Sequence, residues 1–398
     1  MSSAQVRRWN IVETHYVVTR KSETGHKVVN NYRLLHTLGQ GRFGKVKLCE
    51  RLGTLNSSTT DGGDHRASSF LDDDSDPAKA FVSTPTFASS SGRLFAMKIL
   101  SKKMLCRLKD YYAEPLADQP EIGPKENTKE ERMPARMRAV TALDRVHNEI
   151  EIMRSLYHRN IVLLFEVIEA EDSNKLYLVL EYMAGGPCMI YRPKTRDFYS
   201  RVTGSVLTEE LARSYLSDIL HGLQYLHQRR ICHRDIKPDN VLLNDSGRCH
   251  ITDFGCAKAF RDVTKDGGDG AVGSGAETVL LSDTVGTYQF LAPECCSGEH
   301  YDPFNVDIWA VGVVLYIFFY GKLPFSSETT RELFDEIIHA EITFTGPKES
   351  GREQSVSREG QDLLRRLLEK DPTQRITIKN SLRHPWFQLD EDDEPLSF

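Results

Sequence analysis

The stretch that decides the fold reads CHRDIKPDN at residues 232–240. TDFG at residues 252–255 and APE at residues 292–294 follow it in the chain. Short motifs like these match by chance when taken one at a time, but several of them in a fixed order form a specific signal. The ordered set in the segment 232–294 is therefore very specific.

A glycine-rich turn lies near the start of the chain, where Gly39, Gly41, Gly44 and Val46 form the pattern GxGxxGxV. Glycines let backbone amides approach a phosphate because no Cβ stands in the way. A dinucleotide-binding turn needs a helix directly after it, whereas this sequence predicts a second strand. Alone, such a turn is more often only a turn. Lys98, in FAMK on the next predicted strand, can pair with phosphate oxygens, although a strand lysine is usually only solvated.

The motifs GxGxxGxV, AMK, HRDxKxxN, DFG and APE occur here in the order that is typical of eukaryotic protein kinases, and the chain resembles that family. The resemblance implies an α+β, bilobal protein kinase fold with a β-rich N-lobe and a helical C-lobe. It divides the chain into an N-terminal extension, a kinase domain with two inserts and an activation segment, and an acidic tail. The extension covers residues 1–31 and the kinase domain covers residues 32–388. Within the domain, the inserts lie at about 54–92 and 101–144 and the activation segment at 253–294. The acidic tail covers residues 389–398. The first insert is rich in Ser and Thr and is predicted to be disordered, and the second to be partly helical.

The resemblance implies ATP-dependent phosphoryl transfer, which requires charge neutralisation and in-line positioning. Asp235 is expected to accept or orient the proton of the attacking hydroxyl. Lys237 is expected to stabilise the γ-phosphate, and its presence resembles the serine/threonine branch. Asn240 and Asp253 are the expected ligands of Mg²⁺, which prefers carboxylate, carbonyl and phosphate oxygens.

Lys98 is expected to hold the α- and β-phosphates, paired with a carboxylate on the helix predicted from HNEIEIM. Glu149 is preferred over Glu151 for this role. It lies four residues before Met153, which by resemblance belongs to a hydrophobic spine of the kinase fold.

The nucleotide is expected to contact the glycine-rich turn, the strand of Lys98 and the segment LEYM. The full set is Leu38, Gly39, Gln40, Gly41, Arg42, Phe43, Gly44, Lys45, Val46, Ala96, Lys98, Glu181, Met183 and Leu242. Within it, the Glu181 carbonyl and the Met183 amide are expected to hydrogen-bond adenine, with apolar side chains on its two faces. Pro187 departs from many kinases, which place a polar ribose contact there.

Other residues match architectural positions of the family. Glu294 and Arg375 match a buried ion pair under the substrate-binding lobe, and Asp307 matches the helix acid that braces the HRD turn. Thr287 matches the residue that contacts the catalytic aspartate and lysine in serine/threonine kinases. Tyr288 replaces the proline that is common after it.

Features outside the shared motifs narrow the resemblance. KILSKK with a long insert after it, GGPCM, VGTYQFLAPECCSG and WAVGVVLYIFFYGKLPF resemble the calmodulin-dependent kinase kinases. These segments, and the leader TRKSETGHKVVNNY, are also similar to the plant and fungal kinases that activate the AMP-activated, sucrose-non-fermenting kinase group. The implied substrate is the activation-loop threonine of another kinase. The alternatives are a kinase of broader substrate range and, less favoured because the motif residues are intact, a pseudokinase scaffold.

Composition and charge exclude several other classes of partner. Lys and Arg total 51 against 57 for Asp and Glu, so the chain lacks the basic excess of a nucleic-acid binder. The longest apolar run, Ile308–Tyr320, is shorter than the ~20 residues that cross a bilayer, which predicts a buried core helix and no membrane partner.

An acidic stretch follows HPWF at 384–387, so calmodulin is not expected to bind. The eight cysteines, without zinc-ligand spacing, predict reduced thiols and a cytoplasmic location, with the nucleus as an alternative.

The loop before Thr287 suggests how the enzyme is switched. Many kinases with an arginine before the catalytic aspartate, here Arg234, need a loop phosphate to pair with it. The usual phosphate position, three residues before Gly286, is Asp283. Its carboxylate is expected to engage Arg234 permanently, the alternative being a solvated loop acid. Whether Ser282 or Thr284 must be phosphorylated is left open.

Overall fold

The structure is a computed structural model that describes residues 11–41, 43–53, 92–113, 137–260, 280–344 and 356–388. Several predictions concern other residues. The structure does not describe Arg42, residues 54–91 of the first insert, for which disorder is predicted, or the acidic tail at 389–398.

The secondary structure is given by residue range. The strands are β1 (Val12–Thr14), β2 (Thr19–Lys21), β3 (Lys27–Val29), β4 (Tyr32–Gln40), β5 (Gly44–Arg51), β6 (Leu94–Ser101), β7 (Lys109–Ala113), β8 (Met137–Thr141), β9 (Leu164–Glu169), β10 (Lys175–Glu181), β11 (Gly186–Pro187), β12 (Ile190–Arg192), β13 (Asp197–Tyr199), β14 (Ile231–Cys232), β15 (Val241–Leu243), β16 (Cys249–Ile251) and β17 (Lys258–Ala259). The helices are α1 (Lys102–Arg107), α2 (Ala142–Arg154), α3 (Glu209–Gln228), α4 (Pro293–Cys296), α5 (Pro303–Tyr320), α6 (Thr330–His339), α7 (Arg358–Leu367) and α8 (Ile378–Ser381).

The chain divides into two compact units. The sheet unit comprises Val12–Lys102 and Glu166–Tyr182, and the helical unit comprises the rest of the described chain. The sheet unit is built on an eight-stranded sheet in the order β1-β9-β10-β6-β5-β4-β3-β2. The helical unit contains α2 to α8 and several two- and three-stranded pairings. A β-rich first unit and a helical second unit confirm the predicted α+β kinase fold class.

The sheet begins well before residue 32, where the sequence predicted the domain boundary. Strand β1 pairs in parallel with β9, and β3 pairs with β4. Buried Glu166 on β9 accepts a hydrogen bond from the Thr14 hydroxyl at 2.5 Å and another from the Tyr32 hydroxyl at 2.7 Å. Burial is the main cause that raises the pKa of the Tyr32 hydroxyl, and the negative charge of Glu166 is the second cause. These contacts attach the N-terminal strands to the sheet, so the predicted extension is part of it from Val12 onward.

The second predicted insert, residues 101–144, contains regular structure at both ends. Helix α1 follows β6 directly, and strands β7 and β8 pair as an antiparallel ribbon. Helix α2 starts inside the predicted insert because Thr141 and Asp144 form a capping box, each side chain accepting from the other residue's backbone amide. The helix therefore begins at Ala142.

Helix α5 is the core of the helical unit. It is long and apolar enough to cross a membrane by length and composition alone, but 89% of its 18-residue window is buried inside the protein. Asp302 caps its start by accepting from the Phe304 amide at 2.9 Å, and Gly321 ends it with a φ of +64°. The helix is thus the buried core helix that the apolar run predicted.

Candidate active site

The loop that carries Asp235 is fixed to the core helix α5. Asp307, fully buried on α5, accepts a hydrogen bond from the His233 amide at 2.9 Å and one from the Arg234 amide at 2.8 Å. Arg234 adopts a φ of +64°, a conformation that costs a non-glycine residue free energy unless neighbours impose it. The brace predicted for Asp307 is therefore confirmed.

The carboxylate of Asp235 is held by four donors and is only 8% exposed. One oxygen accepts from the Thr287 amide at 3.0 Å and from the Thr287 hydroxyl at 2.7 Å. The other accepts from Lys237 Nζ at 2.8 Å and from Asn240 Nδ2 at 3.0 Å. These bonds fix the orientation of the carboxylate, which is the preorganisation that a group receiving a proton requires.

Lys237 and Thr287 are also bonded to each other. Lys237 Nζ donates to the Thr287 hydroxyl at 2.7 Å, and that hydroxyl donates onward to Asp235. The Lys237 side chain keeps 21% of its surface exposed, so its ammonium adjoins solvent beside the carboxylate. The predicted contact of Thr287 with both residues is confirmed. Tyr288, next in the chain, is 47% exposed and packs edge-on against Phe334 on α6 at 5.6 Å.

The two predicted magnesium ligands lie on adjoining segments. The Thr252 amide donates to the Asn240 carbonyl at 3.0 Å, which places the start of the DFG turn beside the catalytic loop. Asp253 has a φ of +63°. A Cβ built on Gly255 would lie 3.5 Å from Asp253 Oδ1 and 3.9 Å from Glu149 Oε2, so these two carboxylates lie around the same glycine.

The donor set fits a magnesium ion that also binds phosphate. Asn240 Nδ2 is directed at the Asp235 carbonyl and carboxylate, which leaves the carboxamide oxygen as the metal-binding atom. Among the described residues no group of three or more His, Cys, Asp and Glu forms a metal cage. Mg²⁺ commonly takes one or two protein oxygens and fills its other positions with phosphate oxygens and water, so Asn240 and Asp253 suit it.

In the sheet unit, the glycine-rich turn joins β4 to β5. The Gly41 amide donates to the Gly44 carbonyl at 3.0 Å and closes the turn. Apart from its chain neighbours, a Cβ on Gly39 or Gly41 would meet no atom of the described residues within 4 Å, whereas a Cβ on Gly44 would lie 2.0 Å from the Ile99 carbonyl oxygen. The turn is therefore open at Gly39 and Gly41 and is packed tightly at Gly44, where β5 begins.

The strand register brings three predicted nucleotide contacts to one face of the sheet. Val46 on β5 lies opposite Lys98 on β6. Ala96 lies two residues before Lys98 and so shares its face, while Phe95 and Met97 are buried on the other face. Val46, Ala96 and Lys98 are thus neighbours on the sheet surface.

The remaining predicted contacts are distributed over both units. Glu181 ends β10 in the sheet unit. In the helical unit Met183 is buried, and Leu242 is half-buried on β15, where it pairs with Pro187 on β11. The predicted pairing of Lys98 with Glu149 joins residues of different units and stays a prediction.

Arg234 engages the activation segment as the sequence predicted. Its Nη1 atom donates to the two carboxylate oxygens of Asp283 at 3.1 and 2.9 Å, so Asp283 is not a solvated loop acid. Sequence reasoning missed Tyr301, whose hydroxyl donates to the Asp283 carbonyl at 2.5 Å. The two residues are 18 positions apart and share no motif, so nothing in the sequence pointed to this contact.

The architectural ion pair is also present. Arg375 Nη1 and Nη2 donate to the two oxygens of Glu294 at 2.6 and 2.9 Å, and the arginine side chain is fully buried. A bidentate pair of this kind fixes both position and orientation. It anchors helix α4, where the activation segment ends.

Comparison with known proteins agrees with this geometry. A family model described as the protein kinase domain matches residues 125–387, well over half of the chain. Curated relatives are serine/threonine-protein kinases. The chain therefore belongs to the protein kinase family, in its serine/threonine branch.

Three relatives show which kinases it resembles. The chain is 33% identical over 371 residues to serine/threonine-protein kinase TOS3 of Saccharomyces cerevisiae, covering 91% of this chain and 54% of that protein. It is 30% identical over 380 residues to serine/threonine-protein kinase GRIK1 of Arabidopsis thaliana, covering 96% and 72%. It is 36% identical over 275 residues to SNF1-activating kinase 1 of S. cerevisiae, covering 63% and 24%. The chain thus spans about half the length of TOS3.

Proposed function

We propose that this protein is an ATP- and Mg²⁺-dependent serine/threonine kinase that phosphorylates activation-loop threonines of other kinases. The observation that carries the proposal is the carboxylate of Asp235, held by four donors with Lys237 and Asn240 among them. The finer assignment of substrate is supported by the likeness to SNF1-activating kinase 1, whose name states that it activates another kinase.

Each side chain of the site has a separate role in phosphoryl transfer. Asp235 orients the substrate hydroxyl and receives its proton, since both of its oxygens already act as acceptors in a fixed orientation. Lys237 supplies positive charge where the γ-phosphate gains negative charge. Bound Mg²⁺ would neutralise phosphate charge, with Asn240 and Asp253 as its protein ligands. The Thr287 hydroxyl bonds to both Asp235 and Lys237 and so fixes their relative positions.

The test is a transfer assay with mapped products. The purified full chain is incubated with Mg²⁺ and ATP and with catalytically dead kinases from several groups, and phosphosites are identified by mass spectrometry. We expect phosphate on activation-loop threonines of a subset of these kinases. Asp235→Asn is expected to lower kcat by roughly 10²- to 10⁴-fold, and Lys98→Met to abolish transfer, while thermal melting shows that both variants stay folded.

Other outcomes separate the alternatives. Equal phosphorylation of unrelated proteins at Ser and Thr would replace the finer assignment with a kinase of broad substrate range. If wild-type protein transfers no phosphate to any substrate or to itself, the proposal fails and a scaffold that only keeps the fold is favoured.

A further inference from the structure

We propose that Asp283 and Tyr301 are positioning residues that hold the activation segment in its working arrangement without phosphorylation. The proposal rests on the kinase function proposed above and concerns the regulation of the same site. Four groups carry it: the guanidinium of Arg234, the carboxylate of Asp283, the hydroxyl of Tyr301 and the backbone of Leu281. We call them the loop clamp.

Arg234 is the fixed side of the loop clamp. Its side chain is only 10% exposed, and its Nε donates to the Cys256 carbonyl at 2.8 Å. With its backbone amide also bonded to Asp307, the guanidinium has little freedom to move. A carboxylate that binds this arginine is therefore held at a defined place.

Tyr301 holds Asp283 from the other side. Leu281 and Tyr301 form an isolated antiparallel bridge, with amide-to-carbonyl distances of 2.9 and 2.8 Å in the two directions. The Tyr301 hydroxyl donates to the Asp283 carbonyl at 2.5 Å and lies 3.4 Å from Oδ1. Tyr301 is buried, at 5% exposure, immediately before α5. The segment is thus bound through both backbone and side chain.

The loop clamp leads directly to the catalytic carboxylate. Gly286, three residues after Asp283, has a φ of +115°, and a Cβ there would lie 2.4 Å from the Arg234 carbonyl oxygen. The next residue, Thr287, provides two of the four donors to Asp235. Asp283, Gly286 and Thr287 therefore all lie against residues 234–235, and a displacement of Asp283 would pull on the donors that orient Asp235.

The charge of Asp283 is permanent at physiological pH. Burial alone would raise the pKa of its carboxyl, but the charge and hydrogen bonds of Arg234, with a contribution from Lys258, hold it below the ordinary value of 3.8. A phosphate would carry about 1.5 to 2 negative charges against one for this carboxylate, but it would have to be added by a kinase. Ser282 and Thr284 flank Asp283 and are exposed. In the described part of the chain, Arg234 bonds to the Asp283 carboxylate and to neither the Ser282 nor the Thr284 hydroxyl.

The experiment uses the 398-residue chain made in bacteria, treated with phosphatase and shown by intact mass to carry no phosphate. Asp283→Asn keeps the shape and removes the charge, and Tyr301→Phe keeps the ring and removes the hydroxyl. Ser282→Ala and Thr284→Ala are the matched controls. We expect active wild-type enzyme, a fall in kcat of roughly 5- to 150-fold in Asp283→Asn, a smaller fall in Tyr301→Phe, and controls within about twofold of wild type.

Two further readouts distinguish positioning from a general loss of structure. The KM for ATP and the melting temperature are expected to change little in Asp283→Asn, so that kcat carries the effect. Adding Asp283→Asn to an Arg234→Ala background is expected to cause little further loss, because the two residues act as one unit. Asp283→Glu, which restores the charge, is expected to recover much of the activity.

The proposal is overturned if Asp283→Asn keeps the wild-type kcat. It is also overturned if phosphate-free wild-type enzyme is inert and becomes active once Ser282 or Thr284 is phosphorylated, a result that would leave the kinase function intact. Inactivity of both the phosphate-free and the phosphorylated protein would instead reject the proposed function, and this inference with it.

Discussion

The catalytic loop at residues 233–240 and the glycine-rich turn at residues 38–46 are assigned to one reaction but are built in opposite ways. In the loop, Asp235 is buried and accepts four hydrogen bonds. In the turn, a side chain on Gly39 or Gly41 would point into open space. Orienting one proton acceptor takes a packed network of side chains, whereas contacting phosphate takes accessible backbone amides.

The two regions also differ in what supports them. The loop is bonded to Asp307 of the core helix, so its geometry depends on the helical unit as a whole. The turn is held by strand pairing between β5 and β6 and by close packing at Gly44. Substitutions in the loop should therefore change kcat, and substitutions in the turn should change either sheet stability or nucleotide affinity, depending on the position.

Among the variants that compare the loop with the turn, the largest effect is expected at Thr287. Thr287→Ala removes the hydroxyl that links Lys237 to Asp235, and we expect kcat to fall by about a hundredfold, as for the loss of one preorganised donor. Thr287→Ser keeps the hydroxyl and is the matched control, with activity within a few-fold of wild type. Steady-state kinetics on one protein substrate measures both. Equal activity of the alanine and serine variants would mean that the network does not orient Asp235.

Gly44→Ala should have the next largest effect, on stability. The new Cβ would stand 2.0 Å from the Ile99 carbonyl oxygen, which is backbone and cannot rotate away. We expect the free energy of unfolding to fall by about 1–3 kcal/mol, as for overpacking elsewhere in proteins. Denaturant unfolding measures it. A wild-type midpoint would show that β5 and β6 separate easily and that the turn is not packed at its base.

Gly41→Ala is the matched variant at the tip of the same turn. Apart from the chain neighbours of Gly41, no atom of the described residues lies within 4 Å of the new Cβ, so the free energy of unfolding should stay within about 0.5 kcal/mol of wild type. The KM for ATP should rise, by less than about tenfold, because the methyl group would lie where the sequence predicts that a phosphate approaches the backbone. An unchanged KM would argue that the tip does not contact the nucleotide.

The smallest effect is expected from removing the first insert. The Arg51 and Gly92 backbones pair, with the Gly92 amide donating to the Arg51 carbonyl at 3.0 Å, so the two ends of the insert are adjacent. Replacing residues 54–91 by a short glycine and serine linker should leave the KM for ATP within about twofold of wild type. A large rise would show that the insert contributes to nucleotide binding.

The arrangement of the catalytic loop could be predicted from sequence, because Asp235, Lys237 and Asn240 lie within six residues of one another in one motif, and the family resemblance implied a role for each. The same holds for the glycine-rich turn. Partners that come from distant segments could be predicted only where the family resemblance named them, as for Thr287. Tyr301 had no such guide, since its contact with Asp283 depends on the path of the chain between them.

Two predicted boundaries differ from the starts of the observed strands and helix, for physical reasons. Strands β1 to β3 have three residues each, too few to show an alternating pattern, and their attachment depends on Glu166 far along the chain. The start of α2 was placed late because the apolar spacing begins after its first turn. The signal that fixes it is the capping pair Thr141 and Asp144.

The bond between Asp307 and the loop has a consequence for amide hydrogen exchange. The amides of His233 and Arg234 are closed off by a carboxylate that has no exposed surface, so solvent reaches them only when α5 leaves the core. Their exchange should follow the slowest, global opening of the helical unit. A destabilising substitution anywhere around α5 should speed these two amides by the same factor, so their exchange rates report the stability of the whole unit.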